Sequence, residues 1–490
     1  MPLKDINNVV PQGNRPTRVR VAQFGEGNFL RAFVDGMIDA ANERIGLDAG
    51  VAVVQPIARG MVDTLVKQDG MYTVLLRGKQ GGAVVRETRV VRSIIDGVDP
   101  HTAYADFLAL ARNPDLAVVT SNTTEAGITY TGTDSFYDKP PASFPGKLTR
   151  FLYERWSAAL PGLAMLPCEL IDGNGDALRD CVRKTAAQWN LPPAFQSWLM
   201  EENEYLNTLV DRIVTGFPRG EAEALWDELG YRDALLDVAE PFGLWVIQDS
   251  TKLREVLPLD KAGLPVVFTP DVTPYKLRKV RMLNGAHTSM VHAAFLCGLD
   301  TVGECMADPA VRAFMLRALR EEIMPTLTLD PADLAAFADS IVERFENPFN
   351  RHQILSITLN SLSKFRARVL PSIDAYMVKE RKAPPLLSLS FASLLAFYHK
   401  PAREKDGAFP LQDDADALAL IDVLGDAPTD RKRSLTLPEF VRAMLTEPPA
   451  CIRLWGGSLD KYPGLVEAVE RAAERIESVG MRAALETALL

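Results

Sequence analysis

Short apolar runs, each ending in glycine or polar positions, dominate the first half of the chain. The run Val19 to Phe24 ends at Gly25-Glu26-Gly27, and from Phe29 onward apolar residues recur at helical spacing. Two further runs occupy residues 51–54 and 116–119 and also end in polar or proline-containing segments. This order of strand, glycine turn and helix predicts a buried parallel sheet, whose ligands bind beyond the carboxyl ends of its strands.

The pattern changes along the rest of the chain. Alternating segments at 71–76 and 84–91 predict extra strands of a mixed sheet, and four prolines between 258 and 274 mark a boundary. The interpretation is an N-terminal α/β domain, residues 1–275, followed by a mainly α-helical C-terminal domain, residues 276–490. Short strands are also predicted at 164–169, 244–248 and 266–269, and helices at roughly 276–298, 308–322, 331–346, 351–366, 383–400, 413–423, 436–445 and 463–488.

Composition and charge narrow the class of protein. A chain of 490 residues is too long for one core, and its formal net charge of −10 argues against a nucleic-acid or anionic-membrane binder. No apolar stretch has the length of a signal peptide or a membrane span, so we expect a cytoplasmic protein. The sequence leaves open whether it is a monomer or a small homo-oligomer.

Candidate metal ligands are few. The chain has 5 histidines and 5 cysteines, and no CxxC pair occurs. An odd number of scattered cysteines argues against a disulfide framework and against a cysteine-rich zinc site. We therefore expect no metal centre, while a single catalytic histidine remains possible.

The glycine turn is the first candidate site. Gly25 and Gly27 permit a tight turn and a close approach of the backbone to a pyrophosphate, and the helix that follows presents its N-terminal amides. The third small position of the dinucleotide fingerprint is Leu30, so a plain strand-to-helix turn is the alternative. The acidic residue expected after the second strand is replaced by Gln55, and the nearby Arg59 leaves NADP possible beside NAD.

The second candidate is the helical segment 276–295. On an ideal helix Lys279, His287 and Asn284 fall at about 0°, 80° and 140°, so three polar groups share one arc. A lysine can transfer a proton if burial lowers its pKa, and an amide and an imidazole can hold an oxygen whose charge changes. The alternative is a solvated Lys279 beside Arg281, with a packed His287.

Several motifs in the right order resemble one known family. The strings QFGEGNFLRAF at 23–33, NTLVDRIVTGFP at 207–218 and K-x4-N-x2-H at 279–287 look like those of the polyol-specific long-chain dehydrogenases, the mannitol dehydrogenase family. The resemblance runs from about residue 18 to 376. It implies a zinc-independent enzyme with an N-terminal Rossmann-type domain, a mostly helical C-terminal domain and NAD as cofactor, with NADP as the alternative.

The resemblance also implies residue roles. Lys279 is expected as the general acid for carbonyl reduction and the base for alcohol oxidation, while Asn284 and His287 bind and polarise the reactive oxygen. The family commonly closes one strand with Cys-Asp-Asn, whereas this chain has Leu170 in the Asn position, so that Asn174 or a water would have to compensate. The implied cofactor-binding residues are Phe24, Gly25, Gly27, Asn28, Phe29, Thr123 and Glu125. For Thr123 and Glu125 a cap of the turn after the third strand is the alternative.

Within this family the resemblance is strongest to members that act on sugar acids, in strings such as GEGNFLRAFVD at 25–35 and KVRMLNGAHT at 279–288, and it implies a small anionic sugar acid as substrate. A carboxylate in a buried site needs a fixed cation, and the segment 346–372 supplies several. Among these Arg351 and Lys364 are the predicted substrate-facing residues, together with Asp211 of the VDRI string, for which a structural role is the alternative. For each arginine an exposed ion pair is the competing interpretation.

The resemblance implies the interconversion of a keto-hexuronate and an aldonate, with D-tagaturonate and D-altronate as the favoured pair. Fructuronate or a neutral polyol is the alternative substrate within the same class. From a different class, Leu170 and the missing ribose-binding acid favour a nucleotide sensor that kept the fold and lost catalysis. The intact set of Lys279, Asn284 and His287 argues against the sensor.

Overall fold

The structure is a computed structural model that describes residues 3–124, 126–399, 411–425 and 435–490. The chain divides into two compact units, Met1–Val272 and Thr273–Leu490. The assignment of cofactor binding to the first unit and catalysis to the second stays a prediction.

The first unit is built on a six-stranded, entirely parallel sheet with strand order β5-β2-β1-β6-β7-β8. Its inner strands bury both faces, because alternate residues enter different cores: Val51 and Val53 lie in one cluster, and Ala52 and Val54 in the other. This explains the unbroken apolar runs in the sequence. The strands are β1 Val19–Phe24, β2 Gly50–Val54, β5 Ile94–Val98, β6 Val118–Ser121, β7 Ala164–Pro167 and β8 Glu204–Tyr205.

Two three-stranded sheets complete this unit, with strand orders β10-β3-β4 and β12-β11-β9. The strands predicted at 71–76 and 84–91 are confirmed, and they lie in a mixed sheet separate from the main one, in which β3 pairs antiparallel with β4 and parallel with β10. They form a hairpin that pairs with β10, a strand from far along the chain, and alternation in sequence does not specify such a partner. The strands are β3 Tyr72–Gln80, β4 Ala83–Val91, β9 Thr208–Asp211, β10 Asp237–Ala239, β11 Leu244–Gln248 and β12 Val266–Thr269.

Helices flank the main sheet of the first unit. The helix after the glycine turn contains a π turn at Arg31–Asp35, where backbone hydrogen bonds join residues five apart instead of four. The α-helices of this unit are Asn28–Leu30, Gly36–Ile45, Val62–Lys67, Tyr104–Ala111, Phe144–Ser157, Asn174–Gln188, Pro193–Glu201, Ala222–Leu229 and Thr251–Val256.

The second unit is mainly helical, as predicted. Its most buried helix, Pro385–Tyr398, packs against the helical segment Leu465–Ala488, which is kinked at Gly480, where φ is +84°. Its α-helices are Thr273–Arg278, Gly285–Leu296, Val302–Ala307, Pro309–Arg317, Pro331–Phe345, Ile354–Ile357, Ser361–Arg368, Leu370–Glu380, Pro385–Tyr398, Ala415–Gly425, Leu437–Thr446, Ala450–Trp455 and Leu465–Ala488. Among the described residues, a π turn at Lys279–Asn284 separates two of these helices, and another at Ala318–Ile323 follows Pro309–Arg317.

The prediction of one continuous helix over 351–366 is wrong. The structure has a short helix Ile354–Ile357, a break, and a second helix Ser361–Arg368. Asn360 adopts φ +54°, in the left-handed region, which ends one helical path and starts another. Arg351 therefore lies in the loop before both helices and does not share a helix with Lys364.

Two kinds of feature are absent from the described residues. No helix there is both long and apolar enough to cross a membrane. No three His, Cys, Asp or Glu side chains in those ranges form a group that could hold a metal ion.

Candidate functional site

The glycine turn is shaped to accept a ligand. Gly25 has φ +130°, a conformation that favours glycine, and a Cβ there would lie 3.1 Å from Leu30 Cδ1. Leu30 thus packs under the turn, at the position where the fingerprint has a third glycine. Beside Gly27 there is open space, since a Cβ added there would have no atom of the described residues within 4 Å. The exposed Gly27 therefore has no internal packing reason to be glycine, and its backbone suits close approach by a pyrophosphate.

The neighbouring predicted residues differ in what they can offer. The Phe24 ring is fully buried and packs in the core against Phe107 and Phe151, so only its backbone can reach a cofactor. Phe29 is half-buried and stacks on Phe33, with ring centroids 5.1 Å apart. The Asn28 side chain is also half-buried, and its Oδ1 accepts a 2.6 Å hydrogen bond from Arg31.

Arg31 is a buried anchor that the sequence analysis missed. Its guanidinium donates to the carbonyls of Glu26 and Leu235 and lies 3.7 Å from the Asp237 carboxylate. Its side chain is only 2% exposed, so the turn is fixed from inside the domain. The motif letters FLRAF contained this residue, but a lone arginine in a helix is equally typical of a surface charge.

The polar end of β6 is held by a second residue that the sequence analysis did not select. Glu169 is buried, and its carboxylate accepts hydrogen bonds from the backbone and hydroxyl of Thr123, both at 2.9 Å, and from Ser121 at 3.1 Å. Burial raises the pKa of Glu169, against the effect of these donors. Thr123 is thus positioned by Glu169, while the predicted Glu125 lies outside the described residues.

The Asn174 side chain is occupied. Its Nδ2 donates to the Pro167 carbonyl at 2.8 Å and its Oδ1 accepts from the Thr208 backbone at 2.9 Å, so it ties β7 to β9. Leu170, in the position where the family commonly has Asn, is 60% exposed. The expectation that Asn174 compensates for Leu170 is wrong, because its amide is committed to backbone groups.

Asp211 and Arg212 end β9 in the first unit. Asp211 is buried, and Arg212 donates to the carbonyls of Ala32, Pro241 and Phe242. Burial lowers the pKa of Arg212 to about 10. These contacts support a structural role for Arg212, and the substrate role of Asp211 stays a prediction.

In the second unit, the predicted catalytic helix contains a π turn. Because a π turn joins residue i to i+5, Lys279 and Asn284 stand one wide turn apart, closer in direction than the 140° expected on a regular helix of about 100° per residue. Asn284 and His287 then follow at i and i+3 on the α-helix, and such residues are neighbours. All three are half-buried, whereas Arg281 is buried and anchored to Ser372 at 2.9 Å.

His287 is the best-defined member of this set. Its ring stacks on Phe345 at 3.9 Å between centroids, and His352 meets it edge-on at 5.4 Å. Burial lowers its pKa well below the usual value, and His352, Arg344 and Arg368 lower it further. At neutral pH the ring is therefore uncharged. Within the part of the chain that the structure describes, no protein group hydrogen-bonds to its ring nitrogens.

The cations near His287 differ from the predicted pair. Lys364 is half-buried, donates to the Ile357 carbonyl at 2.9 Å and acts electrostatically on His352. Arg351 is exposed and lies near Glu304. Arg368 is half-buried beside His287 and makes no hydrogen bond or ion pair with the described residues. The sequence placed Arg368 four residues after Lys364, and only packing distinguishes the two.

Of these cations, Arg344 is the one that the sequence pattern distinguishes least from an ordinary surface charge. It lies near the end of the helix Pro331–Phe345 and is 6% exposed, next to the phenylalanine that stacks on His287. A charged residue in the last turn of a helix is ordinary in a sequence. Its burial became visible only with the neighbouring helices in place.

Sequence comparisons match both units of this chain. Residues 19–261 match the profile of the mannitol dehydrogenase Rossmann domain, and residues 271–477 match the mannitol dehydrogenase C-terminal domain. An altronate oxidoreductase from Cronobacter sakazakii is 47% identical over 471 residues, which cover 95% of this chain and 96% of the relative. Another from Yersinia enterocolitica is 46% identical over 472 residues, with the same coverage.

Solved structures share the fold. Mannitol 2-dehydrogenase from Pseudomonas fluorescens, in a ternary complex with NAD and D-mannitol, has a TM-score of 0.69 at 24% identity and covers 100% of this chain and 99% of its own. A substrate-free D-sorbitol dehydrogenase has a TM-score of 0.79 at 21% identity, with coverages of 99% and 100%. With both domain profiles and near-full-length relatives in agreement, the chain belongs to the mannitol dehydrogenase family.

Proposed function

We propose that this protein is an NAD-dependent oxidoreductase that interconverts D-tagaturonate and D-altronate. The observation that carries the proposal is the set of cations around His287 in the second unit: Arg344, Arg368 and, beside His352, Lys364. A uronate differs from a neutral polyol by its carboxylate, and a half-buried carboxylate requires such partners. The near-full-length relatives named altronate oxidoreductase support the same substrate class.

Arg368 is the residue we assign to the substrate carboxylate. Its guanidinium is half-buried and has no protein partner within the described ranges, and burial lowers its pKa. An arginine in this state gains most from an incoming anion, because the pair replaces solvation that burial has already removed. Lys364 already donates to a backbone carbonyl, so its role is to add positive potential beside His352.

The reacting oxygen is assigned to Asn284 and His287. The neutral His287 ring can donate an N–H hydrogen bond to that oxygen without competing for the proton. Lys279 then transfers the proton, to the oxygen in reduction and from the hydroxyl in oxidation. Phe345 fixes the plane of the imidazole by stacking. NAD, when bound, supplies or accepts the hydride, and the turn around Gly25 and Gly27 is the part of this chain that fits its pyrophosphate.

The decisive assay compares substrates and variants. The wild type is tested with NADH on tagaturonate, fructuronate and fructose at equal concentrations, and we expect tagaturonate to be reduced fastest. Lys279→Ala is expected to lose turnover by orders of magnitude while NADH binding, followed by fluorescence, is kept.

The carboxylate assignment has a matched control on the same helix. Arg368→Ala is expected to lower kcat/KM for the uronate by roughly 10- to 100-fold, the value of one charge-assisted hydrogen bond. Arg366→Ala, which removes an exposed arginine bound to the Arg453 carbonyl at 3.2 Å, should stay within about twofold. Equal losses in the two variants, or faster reduction of fructose than of either uronate, contradict the proposal. NADH binding without oxidation by any uronate would favour a sensor.

A further inference from the structure

A carboxylate with an unsatisfied oxygen lies inside the glycine turn of the first unit. Glu26 is only 7% exposed, and its Oε1 accepts one long hydrogen bond, 3.4 Å, from the Met61 backbone. Its Oε2 is buried and has no hydrogen-bond partner among the residues that the structure describes. Burial raises the pKa of this carboxyl. A buried acceptor of this kind is costly for the fold alone, so it calls for a ligand that donates hydrogen bonds.

The Glu26 carboxylate lies against the backbone of Gly60. A Cβ on Gly60 would lie 2.1 Å from Glu26 Oε1 and 2.4 Å from Gln55 Oε1, far inside van der Waals contact. Gly60 is exposed, and its backbone does not need a positive φ. Gly60 is therefore explained by these two oxygens, which lie where a side chain at this position would begin, so that no side chain of residue 60 covers the carboxylate.

In dinucleotide-binding sheets, the carboxyl end of the second strand contacts the ribose of the cofactor. Gln55 directly follows β2, and β2 runs parallel to β1, so Gln55 and Glu26 lie at the same edge of the sheet. In that fold an acidic residue at the end of β2 accepts hydrogen bonds from the adenosine ribose. Here β2 ends in an amide, and the carboxylate reaches the same point from the glycine turn after β1.

We infer that Glu26, supported by Gln55, binds the ribose hydroxyls of the adenosine half of NAD and discriminates against NADP. The inference rests on the proposed function insofar as the cofactor is a nicotinamide dinucleotide. The 2′- and 3′-hydroxyls are donors that match the free Oε2, whereas the 2′-phosphate of NADP is an anion that a carboxylate repels. The exposed Arg59 in the same loop is the competing partner for a 2′-phosphate, and the test includes it.

The test measures binding in the absence of any sugar substrate. NADH and NADPH are titrated by fluorescence into the wild type, Glu26→Gln, Gly60→Ala, Arg59→Ala and the exposed-site control Asp63→Asn. We expect the wild type to prefer NADH. Glu26→Gln should lose about tenfold in NADH affinity, the value of a hydrogen bond to a charged group, and should narrow the preference over NADPH. Gly60→Ala should do the same, because its methyl group would overlap Glu26 Oε1 and displace the carboxylate from its place.

The outcomes separate the inference from the proposed function. If Glu26→Gln and Gly60→Ala weaken NADH and NADPH equally, Glu26 only holds the loop at Met61 and the inference is overturned. A wild-type preference for NADPH that Arg59→Ala abolishes also overturns it. A wild type that binds neither dinucleotide contradicts the proposed function as well. If Glu26→Gln does not fold, as judged by circular dichroism, Gly60→Ala still decides, since it keeps every polar group.

Discussion

Asp35 offers a sharp test of the buried polar network behind the glycine turn. It is fully buried, and its Oδ2 accepts hydrogen bonds from Gln23 at 3.1 Å and from the Tyr72 hydroxyl at 3.4 Å. Its Oδ1 has no partner among the described residues. Burial raises its pKa to about 7. Asp35→Asn keeps one oxygen for both hydrogen bonds and replaces the unpartnered oxygen by a neutral amide group.

The direction in which stability changes with pH follows from the difference between the pKa values of Asp35 in the folded and unfolded states. Since the pKa of Asp35 rises from 3.8 to about 7 on folding, its contribution to stability is full below about pH 4 and is lost as the pH rises through 7. A rise in pKa from 3.8 to about 7 contributes about 4 kcal/mol of stability below pH 4, and about 2–3 kcal/mol of this is lost between pH 5 and pH 8. Asparagine does not titrate. The free energy of unfolding of the variant, relative to that of the wild type, should therefore rise by about 2–3 kcal/mol from pH 5 to pH 8.

The assay is urea unfolding at pH 5 and pH 8, followed by tryptophan fluorescence. Five of the 6 tryptophans lie in the unit Met1–Val272, so the signal reports mainly on the unit that contains Asp35. Asp227→Asn, at an exposed helix position, is the control and should show no such gain. A stability difference between Asp35→Asn and the wild type that is the same at both pH values refutes the reasoning.

Two further substitutions test residues that hold elements in place. Glu322 is buried and accepts the backbone N–H groups of Leu386 and Leu387, at 2.8 and 2.7 Å, at the start of the helix Pro385–Tyr398. Glu322→Ala should cost about 2–3 kcal/mol of unfolding free energy by leaving two buried donors unsatisfied, and a loss no larger than that of the exposed Glu321→Gln would show that the cap is unimportant. Glu169→Gln should weaken NADH binding by roughly 3- to 10-fold, because one amide oxygen cannot hold both Ser121 and Thr123. Fluorescence titration checks this against the exposed neighbour Leu170→Ala, and equal affinities in the two variants would contradict it.

Local patterns in the sequence predicted much of the fold. The run Val19–Phe24, the glycine turn and the helix after it were predicted nearly to the residue, because burial on both faces of a parallel strand leaves an unbroken apolar run. The helical second half was predicted because apolar residues recur there at helical spacing. The sequence did not identify pairing partners that lie far along the chain, as for β10 beside β3, and the predicted helix 351–366 was wrong because Asn360 ends a helix that periodicity would continue.

The candidate site also combines features that depend on neighbours in the sequence with features that depend on tertiary packing. The sequence by itself determined the spacing of Lys279, Asn284 and His287 and the presence of the turn, since these depend on neighbours within one helix or loop. Only the tertiary structure decided that Arg344 and Arg368 surround His287 and that Glu26 reaches Gln55. Burial and the approach of charges depend on how distant elements pack, and an arginine or glutamate has the same local signal whether packing leaves it in solvent or encloses it.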